Sequence, residues 1–208
     1  MTKPCPAPIL TSMTLADKTT SARLILAPVF FAIYLLPPIA GSQPVTISVL
    51  WALFIVSELT DLVDGKVARN RGEVSDFGKL FDPFADVLVR ISYFLCFVLD
   101  RILPAAFLLL VLYREFGILF VRILMMKKGV ALGARKGGKI KAVAYMAAGA
   151  GALLASSAAR LGLDSRAYDA LRAAAVVIFG VSVVLALASF ADYIGVYRRT
   201  GVPRSDED

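Results

Sequence analysis

The sequence predicts an all-α polytopic membrane protein with six transmembrane helices. Three observations predict it. Hydrophobic residues make up 58% of the 208 and the mean hydropathy is +0.73, more apolar surface than a soluble core of this length needs. The charged residues, 19% of the chain, fall mostly between apolar runs. Lys and Arg are distributed unevenly over the two sets of connecting segments.

The first apolar run covers 24–40, the second starts near Val45, and the third covers 87–99. The fourth runs over 102–126, the fifth over 140–159 and the sixth over 173–197. Pro37, Pro38 and Gly41 mark a tight turn after the first run. The whole chain reads as one membrane domain, with cytoplasmic tails at 1–18 and 199–208. An even number of spans puts both ends on one side. Seventeen of the 23 Lys and Arg residues fall on that side, against only Arg101, Arg160, Arg166 and Arg172 opposite. Both termini are therefore expected in the cytoplasm, with the protein in the inner cell membrane.

There is no histidine, which excludes imidazole bases, imidazole metal ligands and Ser-His-Asp chemistry. Of the two cysteines, Cys96 lies inside an apolar run and reads as a packing residue, far in sequence from Cys5. Residues 1–14 lack a signal-peptide pattern. The net charge of +7 fits cytoplasmic loops of a membrane protein, and no nucleic-acid partner is expected.

The second and third runs are short, about 13 clean apolar residues against the roughly 20 that cross a bilayer. Both shortfalls lie at the cytoplasmic end, where the pattern D-x2-D-G-x2-A-R-x8-G-x3-D-x3-D spans 61–86. Asp61, Asp64, Gly65 and Ala68 share one helix face, and Gly78, Asp82 and Asp86 share another. Pro83 is compatible with a helix in its first turn, so the third helix is expected to begin near Asp82. Folded together, the two faces bring four carboxylates to one place, which is costly unless cations neutralise them. Oxygen-only ligands suit Mg²⁺ or Mn²⁺, and by ligand type also Ca²⁺. Gly65 and Gly78 clear space beside the carboxylates, and Arg69 supplies a fork that suits phosphate. Together these features point to a pyrophosphate bound through metal.

This pattern resembles the signature of the CDP-alcohol phosphotransferase family. The resemblance implies that fold, with six spans, a homodimer, and a site open to cytoplasm and lipid. It implies that Asp61, Asp64, Asp82 and Asp86 hold two divalent ions. Gly65, Ala68, Arg69 and Gly78, with Asp61, would line the nucleotide site, and Asp86 would act as the catalytic base on the acceptor hydroxyl.

A second charged group addresses the acceptor. Arg114 and Glu115 interrupt the fourth run, Arg122 follows on nearly the same face, and Lys139 and Lys141 open the fifth. Intramembrane ionisable residues are functional candidates by default, and Arg114, Arg122, Lys139 and Lys141 would suit an acceptor phosphate. Arg90 with Glu115 is a candidate structural ion pair. Within the family, Arg114-Glu115 with Arg122, the Gly138–Lys141 turn, Asp82-Pro83-x-Ala85-Asp86, and Thr20 with Arg23 look most like members that use glycerol 3-phosphate. The expected reaction is therefore transfer of the phosphatidyl group from CDP-diacylglycerol to glycerol 3-phosphate. Val87 stands where a lysine is common, and Ala142 and Tyr145 where a threonine and a glutamine are usual. Inositol phosphate, serine, choline and ethanolamine stay open as acceptors. A small transporter is the alternative outside the family, and predicts an internal repeat that this chain lacks.

Overall fold

A computed structural model describes residues 15–71, 78–127 and 136–201, and they form six α-helices with no strand among them. These are α1 (Leu15–Leu35), α2 (Gln43–Arg71), α3 (Gly78–Leu99), α4 (Ala105–Lys127), α5 (Lys136–Arg160) and α6 (Ser165–Gly201). The shortest, α1 at 21 residues, is about 31 Å long, enough to cross a hydrocarbon core. Stretches of α2 (Gln43–Thr60), α5 (Ile140–Arg160) and α6 (Ser165–Gly195) are apolar enough over enough length to be membrane spans. In α1 the apolar stretch is shorter, Thr19–Leu35. The apolar runs of α3 and α4 carry ionisable residues.

The helices extend beyond the apolar runs, because polar residues continue a helix into the interface after hydrocarbon contact ends. α1 begins at Leu15, inside the expected tail, and stops at Leu35 rather than 40. Pro37 and Pro38 disfavour helical backbone before them, and a 3-10 turn with left-handed Ala40 (φ 50°) and Gly41 (φ 70°) reverses the chain. α4 starts at Ala105, not 102. Ile102 and Leu103 instead fold under the loop, donating their N–H groups to Phe97 O at 2.9 and 3.2 Å. α6 begins at Ser165, well before 173, and continues to Gly201.

One boundary differs for an instructive reason. α3 starts at Gly78, so Pro83 lies in its second turn rather than its first. Only one intrahelical bond, to the Lys79 carbonyl, is lost there, close to a helix end where bonds are already few. The extra turn joins Gly78 to the same helix as Asp82 and Asp86.

The bundle is organised around aromatic rings. Phe94 packs on Phe179 with ring centres 4.6 Å apart, Tyr93 on Phe94 at 4.7 Å, and Phe54 on Tyr93 at 5.4 Å. Cys96 is fully buried among them, as its place in an apolar run predicts. Small residues of α5 let the helix approach: a Cβ on Gly149 would stand 2.9 Å from the Phe54 ring. In lipid such close van der Waals packing takes the place of the hydrophobic drive between helices.

α4 and α6 run parallel in a steady register. Arg114 meets Ala186 and Ser189, and Arg101 meets Arg172, all at separations of 71 to 75 residues. At the end of the bundle away from the aspartates, Tyr34 donates its hydroxyl proton to Asp100 Oδ2 at 2.6 Å and pairs with Ser156 Oγ at 2.8 Å. Arg160 closes the group, donating to Tyr34 O at 2.8 Å and stacking over the Tyr34 ring. This network ties α1, α3 and α5, so they hold a fixed alignment at the opposite, aspartate-bearing end.

Candidate active site

Asp82 and Asp86 stand one turn apart on α3, and α1 reaches both. Thr20 Oγ1 donates to Asp82 Oδ1 at 2.7 Å, and Arg23 Nη1 meets Asp86 Oδ1 at 2.8 Å. Arg23 Nη2 also donates to Thr20 Oγ1 at 3.3 Å, so the two α1 side chains brace each other. The i, i+3 spacing of Thr20 and Arg23 on one helix meets the i, i+4 spacing of Asp82 and Asp86 on the next. The Arg23 side chain is 5% exposed and that of Asp86 is 23% exposed, so solvent reaches the carboxylate past a buried guanidinium. Sequence comparison drew attention to Thr20 and Arg23 only as a resemblance; their contact with the aspartates is a finding of the structure.

α2 closes the third side. Arg23, Ser57, Glu58, Asp86, Val89 and Arg90 line one cleft, and Tyr93 donates its hydroxyl proton to Glu58 Oε1 at 3.1 Å. Glu58 lies three residues before Asp61 on an unbroken helix. Asp61, Asp64, Gly65, Ala68 and Arg69 are all within α2, and Gly78 is the first residue of α3. The side chains of 61–80 lie outside the described residues, as does that of Lys139.

Among the described residues no group of three or more carboxylates is placed to hold a metal ion, and the oxygens of Asp82 and Asp86 are of the type that hard divalent cations take. Asp82 and Asp86 share a face of α3, both are partly exposed, and Glu58 of α2 adds a carboxylate to the Asp86 cleft. Among the described residues that line the cleft there is no histidine or cysteine of the kind zinc prefers.

Arg114 and Lys141 are brought together, though not as open cations. They grip one carboxylate: Lys141 Nζ is 2.6 Å from Glu115 Oε1, and Arg114 Nη1 is 2.8 Å from Glu115 Oε2. Arg114 also donates through Nε to Ala186 O at 3.1 Å and through Nη2 to Ser189 Oγ at 3.3 Å. It is 3% exposed, Lys141 6% and Glu115 7%. This corrects the expected partner of Glu115. Both Glu115 oxygens are taken by Lys141 and Arg114, where Arg90 was the expected partner, and Arg90 instead lines the Asp86 cleft. Arg114 is committed to α6 and Glu115, so its guanidinium serves packing as well as charge. Two cations on one carboxylate leave a net positive charge inside the bundle. Arg122, two turns beyond Glu115 toward the aspartate end, is half-buried, and its buried Nε has no hydrogen-bond partner among the described residues. Such a donor calls for an acceptor that the described residues do not supply.

The CDP-alcohol phosphatidyltransferase family model matches residues 13–191, and the chain belongs to that family. Among relatives, it is 38% identical over 193 residues, 89% of each chain, to the CDP-diacylglycerol–glycerol-3-phosphate 3-phosphatidyltransferase of Treponema pallidum. It is 35% identical to the protein of the same name from Bacillus subtilis, over 67% of this chain and 76% of that one. A probable phosphatidylglycerophosphate synthase of Mycobacterium tuberculosis is 31% identical over 86% and 79% of the two chains.

Proposed function

We propose that the protein transfers the phosphatidyl group of CDP-diacylglycerol to glycerol 3-phosphate, giving phosphatidylglycerophosphate and CMP. The names of the relatives support this reaction, and the observation that carries the acceptor is Arg122, whose buried Nε has no partner among the described residues, beside the net positive group of Arg114, Lys141 and Glu115. An uncharged alcohol would not need buried cations that exceed their carboxylate. A phosphorylated one would.

In this reading the acceptor hydroxyl oxygen attacks the phosphorus that carries diacylglycerol. The bond from that phosphorus to the bridging oxygen breaks, and CMP leaves with the bond's electron pair. The hydroxyl proton passes to Asp86, whose carboxylate is oriented by Arg23. Thr20 fixes Asp82 in the same way. Asp61, Asp64, Asp82 and Asp86 would hold two Mg²⁺ or Mn²⁺ ions, which when bound neutralise the pyrophosphate and the departing CMP. Arg69, with Asp61, Gly65, Ala68 and Gly78, would receive the nucleotide. Supporting the convergence of the two pairs, Glu58 shares a cleft with Asp86 and precedes Asp61 by one turn of α2. Arg122 and Lys139 would bind the acceptor phosphate, and Arg114 with Lys141, both held by Glu115, would add positive potential behind them.

The Lys and Arg asymmetry supports six crossings with both termini and the site facing the cytoplasm, in the inner membrane. Resemblance to the family supports a homodimer. The donor's acyl chains then stay in the bilayer while its head group enters from the side. The test is CMP release by purified protein given CDP-diacylglycerol, Mg²⁺ and a panel of acceptors. Release with glycerol 3-phosphate alone is the expected result; equal release with serine or inositol phosphate would overturn the acceptor assignment.

A further inference from the structure

A second lipid-facing feature lies at the other end of the molecule. A groove of about 500 Å³ runs between Phe107 of α4 and residues 176–185 of α6. Its walls are Val176, Val177 and Val184, stiff β-branched side chains, and its floor is Gly180, where a Cβ would come within 3.3 Å of the Phe107 ring. The missing side chain lets the Phe107 ring lie against α6 at the edge of the groove. At 1.5 Å per residue the groove is roughly 14 Å long, close to half of a ~30 Å hydrocarbon core, so it has the depth of one leaflet.

Its mouth is basic. Arg172, Val176, Gly180 and Val184 recur every four residues, forming one row of α6 with the arginine outermost. Arg172 Nε donates to the backbone O of Arg101 at 3.1 Å, so the helix and the loop before α4 bring two guanidiniums to the same rim. Arg101 has left-handed backbone, φ 56°, in the turn that precedes α4. Both side chains are exposed, and no ion pair joins either to a carboxylate among the described residues. Two cations above an apolar channel one leaflet deep match a single amphiphile: a negatively charged head over a hydrocarbon chain. A second copy of this chain would have to present both an acidic patch and an apolar ridge in the same register.

We propose that this groove is a binding site for an anionic phospholipid of the leaflet opposite the aspartates, with an acyl chain along residues 176–185 and the phosphate at Arg101 and Arg172. The site is separate from the catalytic cleft, so its failure leaves the proposed reaction untouched. The test is native mass spectrometry of the full chain from nanodiscs holding equal parts dioleoylphosphatidylglycerol and dioleoylphosphatidylcholine. Wild type is expected to retain the anionic lipid in preference. Arg101→Asn, which suits left-handed backbone, combined with Arg172→Gln should cut that preference by roughly fivefold per arginine, and Val181→Trp should remove the bound lipid by filling the groove. Unchanged CMP release in these variants establishes that they are folded. Equal retention of the two lipids by wild type, or an undiminished preference in the double variant, would overturn the proposal. So would efficient disulfide dimerisation of Val181→Cys in a Cys5→Ser background, which would assign the groove to a second copy.

Discussion

Arg23 on α1 and Asp86 on α3 meet at 2.8 Å, across 63 residues of chain, with the guanidinium buried and the carboxylate reached by solvent. The pair fixes where the carboxylate points without closing it to substrate. Arg23→Ala should therefore lower kcat by about tenfold or more while leaving both KM values within a few-fold, and Arg23→Lys should recover part of the loss. Steady-state CMP release checks this. A rise in KM alone would mean that Arg23 binds substrate rather than positioning Asp86.

Asp86→Asn keeps the shape of the side chain and removes its capacity to take a proton. Turnover should fall by roughly 10²- to 10⁴-fold, with expression and detergent stability retained. Normal turnover would remove Asp86 from the role of base.

Glu115→Gln leaves Arg114 and Lys141 buried beside each other without a counter-charge. The loss of a buried partner costs about 3–5 kcal/mol, so a clear drop in the thermal midpoint in detergent is expected. The double variant Glu115→Gln with Lys141→Met should recover part of that stability, because it removes one of the two stranded cations.

Arg122→Ala should raise KM for glycerol 3-phosphate by about tenfold or more and leave that for CDP-diacylglycerol nearly unchanged. Equal effects on both would place Arg122 with the donor instead.

Gly149→Val tests the packing. Its new Cβ would sit 2.9 Å from the Phe54 ring and 3.2 Å from that of Tyr93, neither free to retreat in a core of stacked aromatics. The variant should be destabilised by about 1–3 kcal/mol, read as a lower thermal midpoint.

The sequence made the helix count and the shared face of Asp82 and Asp86 legible for a simple reason: both are periodic, one in hydropathy and one in spacing. Helix ends were less legible, because apolar runs mark hydrocarbon and not hydrogen bonding. Leu15–Arg23 and Ser165–Arg172 are polar enough to read as loop, yet both are helical. Pro83 misled by one turn, since a proline near a helix end costs only one bond. The Arg23–Asp86 contact joins residues far apart in the chain, and nothing local announces it. The charges of Arg114 and Glu115 stood out in an apolar run, but the choice of Lys141 rather than Arg90 as the second partner of Glu115 depends on where packing against α6 and α3 places α5.

Metal titration of CMP release tests the central claim most directly. Purified protein stripped with EDTA and given CDP-diacylglycerol and glycerol 3-phosphate should release no CMP, and Mg²⁺ or Mn²⁺ should restore release. Asp61→Asn and Asp82→Asn should each shift that titration to much higher metal or abolish it. Full CMP release in EDTA, or an unchanged metal titration in both variants, would contradict the account.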